Sequence, residues 1–147
     1  MNTDLQQVLN EKYPKIFHVR KGTETMPFAM FGIECDDGWF NIINTLCYQI
    51  QSYLDWQEKT TQRIIEKDLA DGHTTLTEHI PQVVVTQIKE KYGTLRFYYD
   101  GGDERIDGMV TMAEAISAVT CETCGNQGKL RGQHWFYTAC EAHARDM

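Results

Sequence analysis

Four residues near the end of the chain carry the clearest chemistry. Cys121-Glu122-Thr123-Cys124 is followed, after fifteen intervening residues, by Cys140-Glu141-Ala142-His143. Two pairs of ligands, each separated by two residues, suit tetrahedral zinc, because a tight turn within each pair aims both side chains at one point. Gly125, directly after the first pair, supplies the permissive backbone of a metal knuckle. His134 competes with His143 for the fourth position but has no partner two residues away. The pattern therefore predicts one structural Zn2+ held by Cys121, Cys124, Cys140 and His143. Four protein ligands close the coordination sphere and leave no position for water or substrate, so the expected site is not catalytic. Such an ion contributes folding free energy directly, since the unfolded chain has no preformed site.

Two acidic clusters offer a different chemistry. Glu34, Asp36 and Asp37 lie together, as do Asp100, Asp103 and Glu104, and carboxylates of this kind bind magnesium in nucleases. Helix caps and polar turns use the same residues. The chain has no nucleophile elbow, phosphate-binding glycine loop or His-Glu-x-x-His motif. His18, His73 and His79 stand apart in polar surroundings and read as solvent-exposed. A third candidate is a binding surface. Lys89, Lys91, Tyr92, Arg96 and Tyr98 mix aromatic faces with cations, a combination that stacks bases and holds phosphates. Lys129 and Arg131, between the two zinc-ligand pairs, extend that set.

The elements that must position these groups can be read from periodicity. Residues 3 to 13 form a short helix with Thr3 as N-cap and Pro14 as its stop. Lys12 to Lys21 is the most basic stretch and reads as a solvated loop. Phe28 to Glu34 reads as a strand. Trp39, Ile42, Ile43, Leu46, Ile50, Tyr53 and Leu54 recur at spacings of three and four, the stripe of a long amphipathic helix capped by Asp36 or Asp37. Ile64, Ile65 and Leu69 continue it or form a second helix, before a loop over residues 71–75. Val83 to Lys89 and Leu95 to Tyr99 read as strands joined by a hairpin whose glycine, Gly93, serves a bulged turn. Alternation puts Leu95, Phe97 and Tyr99 on one face and Arg96 and Tyr98 on the other. Residues 104 to 119 form a last helix. Beyond it Trp135-Phe136-Tyr137 reads as a strand of the zinc module. The expected fold is α+β: long amphipathic helices packed on a small antiparallel sheet (1–119), with a zinc-ribbon or treble-clef-like module (120–147) packed on that core.

Composition narrows the function. The chain has 147 residues, 41% hydrophobic and 24% charged, with 21 acidic residues against 14 Lys and Arg. A net charge of −7 disfavours broad, non-specific nucleic-acid binding, which needs excess cations facing phosphates. No apolar run is long enough to span a membrane. The first residues have neither the basic start nor the apolar stretch of a secretory leader, so the expected location is the cytoplasm. Thiols there stay reduced, and metal binding explains paired cysteines better than disulfides do. Cys47 reads as a small core residue, and Asp36 and Asp37 beside Cys35 would blunt it as a nucleophile.

Three segments carry a family resemblance: Phe31-Gly-Ile-Glu-Cys-Asp-Asp-Gly-Trp39, Gln87-Ile-Lys-Glu-Lys-Tyr-Gly-Thr-Leu-Arg-Phe-Tyr-Tyr99, and Cys121-Glu-Thr-Cys-Gly125 with Cys140-x-x-His143. Together they resemble a family of small, mostly uncharacterised phage and prophage proteins with a C-terminal zinc motif. The likeness runs from about residue 13 onward, except near residues 57 to 81. It implies expression in a bacterial host's cytoplasm, and accessory phage proteins of this size often antagonise host enzymes or immunity. The leading expectation is a non-enzymatic phage accessory protein that binds and inhibits a host protein, with a component of host defence as one such target. The alternative is a zinc protein that binds nucleic acid or a nucleotide through Arg96, Tyr98, Lys129 and Arg131. A metal-dependent nuclease using Asp100, Asp103 and Glu104 ranks third.

Overall fold

The computed structural model describes residues 1–74 and 77–145. Thr75, the last residue of the expected loop, and the final two residues of the expected zinc module lie outside them. In chain order the elements are helix α1 (Thr3–Lys12), helix α2 (Pro27–Phe31), strand β1 (Ile33–Glu34), a 3-10 turn (Asp37–Trp39), helix α3 (Phe40–Ala70), strands β2 (Val84–Lys91) and β3 (Thr94–Asp100), helix α4 (Glu104–Ser117), strands β4 (Lys129–Arg131) and β5 (Tyr137–Ala139), and a 3-10 turn (Glu141–His143).

The α+β architecture matches the sequence reading, but the sheet is mixed. β2 is its centre: β3 pairs with it antiparallel, and β1 runs parallel along the other edge, with Ile33 opposite Ile88. The expected strand over Phe28–Glu34 is mostly helix α2. Pro27 sits in its first turn, where a missing N–H costs nothing, and Gly32 closes it. Only Ile33 and Glu34 remain extended. The hairpin turn also differs. Strands run up to Lys91 and Thr94, leaving the two-residue turn Tyr92-Gly93, both with positive φ (53° and 85°). That is the twist-matched two-residue hairpin form, and it needs no bulge at the turn. The register shift lies instead between Val85 and Gln87.

Other segments take over where β2 runs past the two-residue β1 and along the outer edge of β3. On the β2 side, Val85 N–H donates to the Ile16 carbonyl (2.9 Å), so part of the basic stretch is a packed turn with Ile16 and Phe17 buried. On the β3 side, side chains of α4 replace a fourth strand: Leu95 N–H donates to Ser117 Oγ (2.8 Å) and Phe97 N–H to Glu114 Oε2 (3.0 Å). Unpaired edge groups that would invite another chain are thereby satisfied.

The core lies between α3, α4 and the inner face of the sheet. Ile43, Leu46, Cys47, Ile50 and Leu54 of α3 meet Ile106, Val110 and Ala113 of α4 and Val85, Ile88, Leu95 and Phe97 of the sheet. Cys35 and Cys47 are buried; burial pushes the Cys35 thiol up to about 12 and the Cys47 thiol well above its ordinary value. α3 continues unbroken to Ala70, so Ile64 and Leu69 belong to an extension and not to a second helix. No residue after Leu54 in α3 is buried. Capping departs from expectation at two ends. Asn2, not Thr3, accepts the Leu5 N–H at the start of α1. Neither Asp36 nor Asp37 caps α3 with its side chain; Asp37 binds the Asn2 backbone N–H (2.7 Å) and side-chain amide (2.9 Å).

Truncating a side chain in the packed half of α3 leaves a cavity, while the outer half has nothing to lose. Ile50→Ala should lower unfolding free energy by about 3 kcal/mol, and Leu69→Ala should stay within about 0.5 kcal/mol of the parent, as read by urea denaturation.

Candidate metal centre

The metal-ligand types converge where the two distant turns meet. Cys121 and Cys124 lie on the turn after α4, Cys140 follows β5, and His143 ends the last 3-10 turn. Their ligand atoms all lie within 4.8 Å of one another. Cys124 Sγ is 3.7 Å from Cys140 Sγ, and His143 Nδ1 is 3.3 Å from Cys140 Sγ and 3.7 Å from Cys121 Sγ. Such a set could hold one metal ion. Cys121 is fully buried, Cys140 and His143 are half-buried, and Cys124 faces solvent. Among the described residues this is the one such group, and His134 lies outside it on the exposed β4–β5 loop.

Local backbone conformation explains the convergence. Gly125 N–H donates to the Cys121 carbonyl (2.9 Å), and Gly125 takes φ 80° to complete the turn. His143 N–H donates to the Cys140 carbonyl (3.2 Å) in the second turn. Electrostatics favour the thiolate at Cys121 and Cys140; the Asn126 N–H draws Cys124 down, but burial and the neighbouring Cys121 and Cys140 sulfurs carry it above its ordinary value. Burial opposes ionisation of Cys121, but N–H groups of Cys140, Cys124 and Thr123 facing its sulfur hold it at about 6. The His143 ring lowers Cys140, and Cys140 in turn raises His143. Thiolates are the form that binds metal.

The knuckle is seated on the start of α3. Gly38 N–H donates to the Glu122 carbonyl (2.7 Å), and Trp39, fully buried, donates its indole N–H to the Thr120 carbonyl (2.9 Å). Glu122 accepts the Asp36 N–H (3.0 Å). A β-carbon at Gly38 would lie 2.3 Å from the Cys121 carbonyl oxygen and 2.4 Å from that of Glu122. The other hairpin of the module, β4–β5, docks on the Tyr92-Gly93 turn. Thr138 Oγ1 donates to the Gly93 carbonyl (2.6 Å), and Leu130 and Tyr137 press against Gly93.

Comparison with family models, with curated proteins and with solved structures returned no match.

The other predicted residues fall elsewhere. Lys89 and Arg96 are cross-strand partners on the sheet face turned from the core, the face that also carries Lys91 and Tyr98. Arg96 folds back on Thr94 Oγ1 (2.6 Å) and the Leu95 carbonyl (3.0 Å). Lys129 and Arg131 both meet Glu141, at 3.8 and 2.9 Å. The acidic triad is occupied with structure: Asp100 pairs with Arg20 (2.5 Å), and Asp103 caps α4 at Ile106 N–H while accepting the Tyr53 hydroxyl (2.6 Å). Glu104 lies in the first turn of α4. Neither acidic cluster forms a group of metal-ligand geometry among the described residues.

Tyr92, singled out in the sequence with Lys89 and Arg96, belongs instead to an aromatic corner whose other members sequence reasoning missed. Trp135 and Phe136 are not in a strand; β5 begins at Tyr137, and the loop before it turns Trp135 outward at 70% exposure. Tyr92 is 69% exposed and lines, with Glu90, His134, Trp135 and Phe136, one pocket of about 240 Å3. Gly132, with Gln133 beyond it, was the available signal that a tight loop and not a strand precedes Tyr137.

Because the Gly38 contact leaves no room for a methyl group, Gly38→Ala should cost about 2 kcal/mol and weaken metal retention. Melting temperature and metal competition by a chromogenic chelator would both report it, with Gly108→Ala, in open space on the ordinary helical backbone of α4, as the control.

Proposed function

We propose that this chain is a non-enzymatic phage accessory protein, stabilised by one structural zinc ion, that binds and inhibits a host protein. Zinc is favoured by the ligand set and its spacing: thiolate ligands about 2.3 Å from a tetrahedral zinc lie about 3.8 Å apart, and the Cys124–Cys140 separation is 3.7 Å. Knuckle, two-stranded hairpin and final ligand turn follow the plan of a zinc ribbon. With three cysteines and a histidine bound, the ion has no open position for chemistry.

The observation that carries the binding role is the aromatic corner. Tyr92, Trp135 and Phe136 come from two separate hairpins and stand exposed around one pocket. Large aromatic side chains anchored at a pocket are the usual energetic centre of a protein interface. The corner exists only where the zinc hairpin is docked on the Tyr92-Gly93 turn, which gives the ion a reason to be there. Glu141 pairs with both Lys129 and Arg131 and halves their joint charge, which favours this reading over extended nucleic-acid binding through that pair. The resemblance to phage proteins supports a partner from the bacterial host. No helix among the described residues is long and apolar enough to cross a membrane.

Elemental analysis should find one zinc per chain, and removal by a strong chelator should abolish the β4–β5 hairpin signals while α3 keeps its helicity. In cross-linking pull-downs from bacterial lysates, the parent should recover one stoichiometric protein. Trp135→Ser and Tyr92→Ser, with zinc content unchanged, should each reduce its recovery at least about tenfold. Equal recovery by both variants, or no stoichiometric partner from several strains, would refute the reading.

A further inference from the structure

Trp135 separates two concavities, and the second has the opposite chemistry to the aromatic pocket. It is a groove of about 660 Å3 between the β4–β5 loop and Ala144 and Arg145. Its walls hold Arg131, Gln133, His134, Trp135, Tyr137 and Arg145. On a chain with 21 acidic and 14 basic residues, this lining has two guanidiniums and an imidazole and, among the described residues, no carboxylate.

The donors are pre-positioned. The Arg145 guanidinium lies over the Tyr137 ring, 4.5 Å from its centre. The backbone of Arg145 is tied to the same ring, its N–H donating to Tyr137 Oη (2.8 Å) and its carbonyl accepting from that hydroxyl (3.3 Å). Arg131 is only 16% exposed and is held by Nε to the Ala139 carbonyl and by Nη2 to Glu141, which leaves Nη1 unengaged among the described residues. Gln133 and His134 stand exposed beside them. Beside these donors stands the exposed indole of Trp135. Cations fixed in planar orientation recognise phosphate, and an exposed indole stacks a planar ring. The volume is that of a small-ligand site. We infer that this groove binds a nucleotide, with its phosphate between Arg145 and Arg131 and its base on Trp135. Two cations, one of them already paired with Glu141, give a short-range site for one nucleotide and not a track for a long strand.

The source is either a free nucleotide or the end of a single strand, and the test separates them. The intact zinc-loaded protein is titrated calorimetrically with inorganic phosphate, with AMP and CMP, and with a ten-nucleotide oligothymidylate. A mononucleotide should bind at least about tenfold more tightly than phosphate, the worth of one stacked base. Trp135→Ser and Arg145→Ala should each weaken binding about tenfold, and Arg145→Ala should also flatten the salt dependence. Tyr92→Ser, on the other side of the Trp135 ridge, should leave nucleotide affinity unchanged, so this site and the protein-binding corner fail or survive separately. A tighter oligothymidylate complex assigns the ligand to a strand end, and a weaker one to a free nucleotide. Mononucleotides that bind no better than phosphate, or as well to Trp135→Ser as to the parent, overturn the inference. Trp135 sits on an exposed loop, so that variant decides the matter even where Arg145→Ala loses its zinc.

Discussion

The contact on which the rest of the molecule depends is the backbone of Gly38 laid against the carbonyls of Cys121 and Glu122. It joins two units that would otherwise be weakly related. The segment after α4 buries only Cys121, Tyr137 and Ala139 as its own apolar centre, too little for a fold to stand alone. The cluster of Cys121, Cys124, Cys140 and His143, which could hold a metal ion, draws its two turns together. Gly38, the Trp39 indole and Thr138 then fix it to the α3 terminus and to the Tyr92-Gly93 turn. Ligand geometry and core packing are therefore one thermodynamic system, and a disturbance in either reaches the other through a few hydrogen bonds.

The same economy governs the sheet. Three strands are few for an independent sheet, and here other segments take over along β2 and β3. Ile16 and β1 cover one side of β2, while Ser117 and Glu114 of α4 answer the outward N–H groups of β3. Asp103 performs a comparable double task, capping α4 and accepting the Tyr53 hydroxyl from α3. Acidic residues that looked like candidate metal ligands thus hold helix ends and neighbouring elements together.

What could be read from the amino-acid order was what depends on local spacing. The Cys121, Cys124, Cys140 and His143 pattern needs only two tight turns, and the α3 stripe only a helical repeat, so both were visible. Phe28 to Glu34 misled because a short apolar run has no decisive period. Pro27 and Gly32, read as punctuation, would have marked the helix. Asn2 displaced Thr3 as the cap because Asp37 steadies Asn2 from across the chain. Nothing near Gly38 in sequence announces the carbonyls it meets. The aromatic corner and the Arg145 groove were hidden for the same reason. Each is assembled from segments that only tertiary docking brings side by side.

Helix α3 carries a consequence of its own. Its first four turns are anchored in the core, whereas beyond Leu54 no residue is fully buried and the tie from Glu58 to His79 lies at the surface. One continuous rod therefore contains two regimes of local opening: a base that exchanges its amides only with global unfolding, and a tip that frays and re-forms far more often.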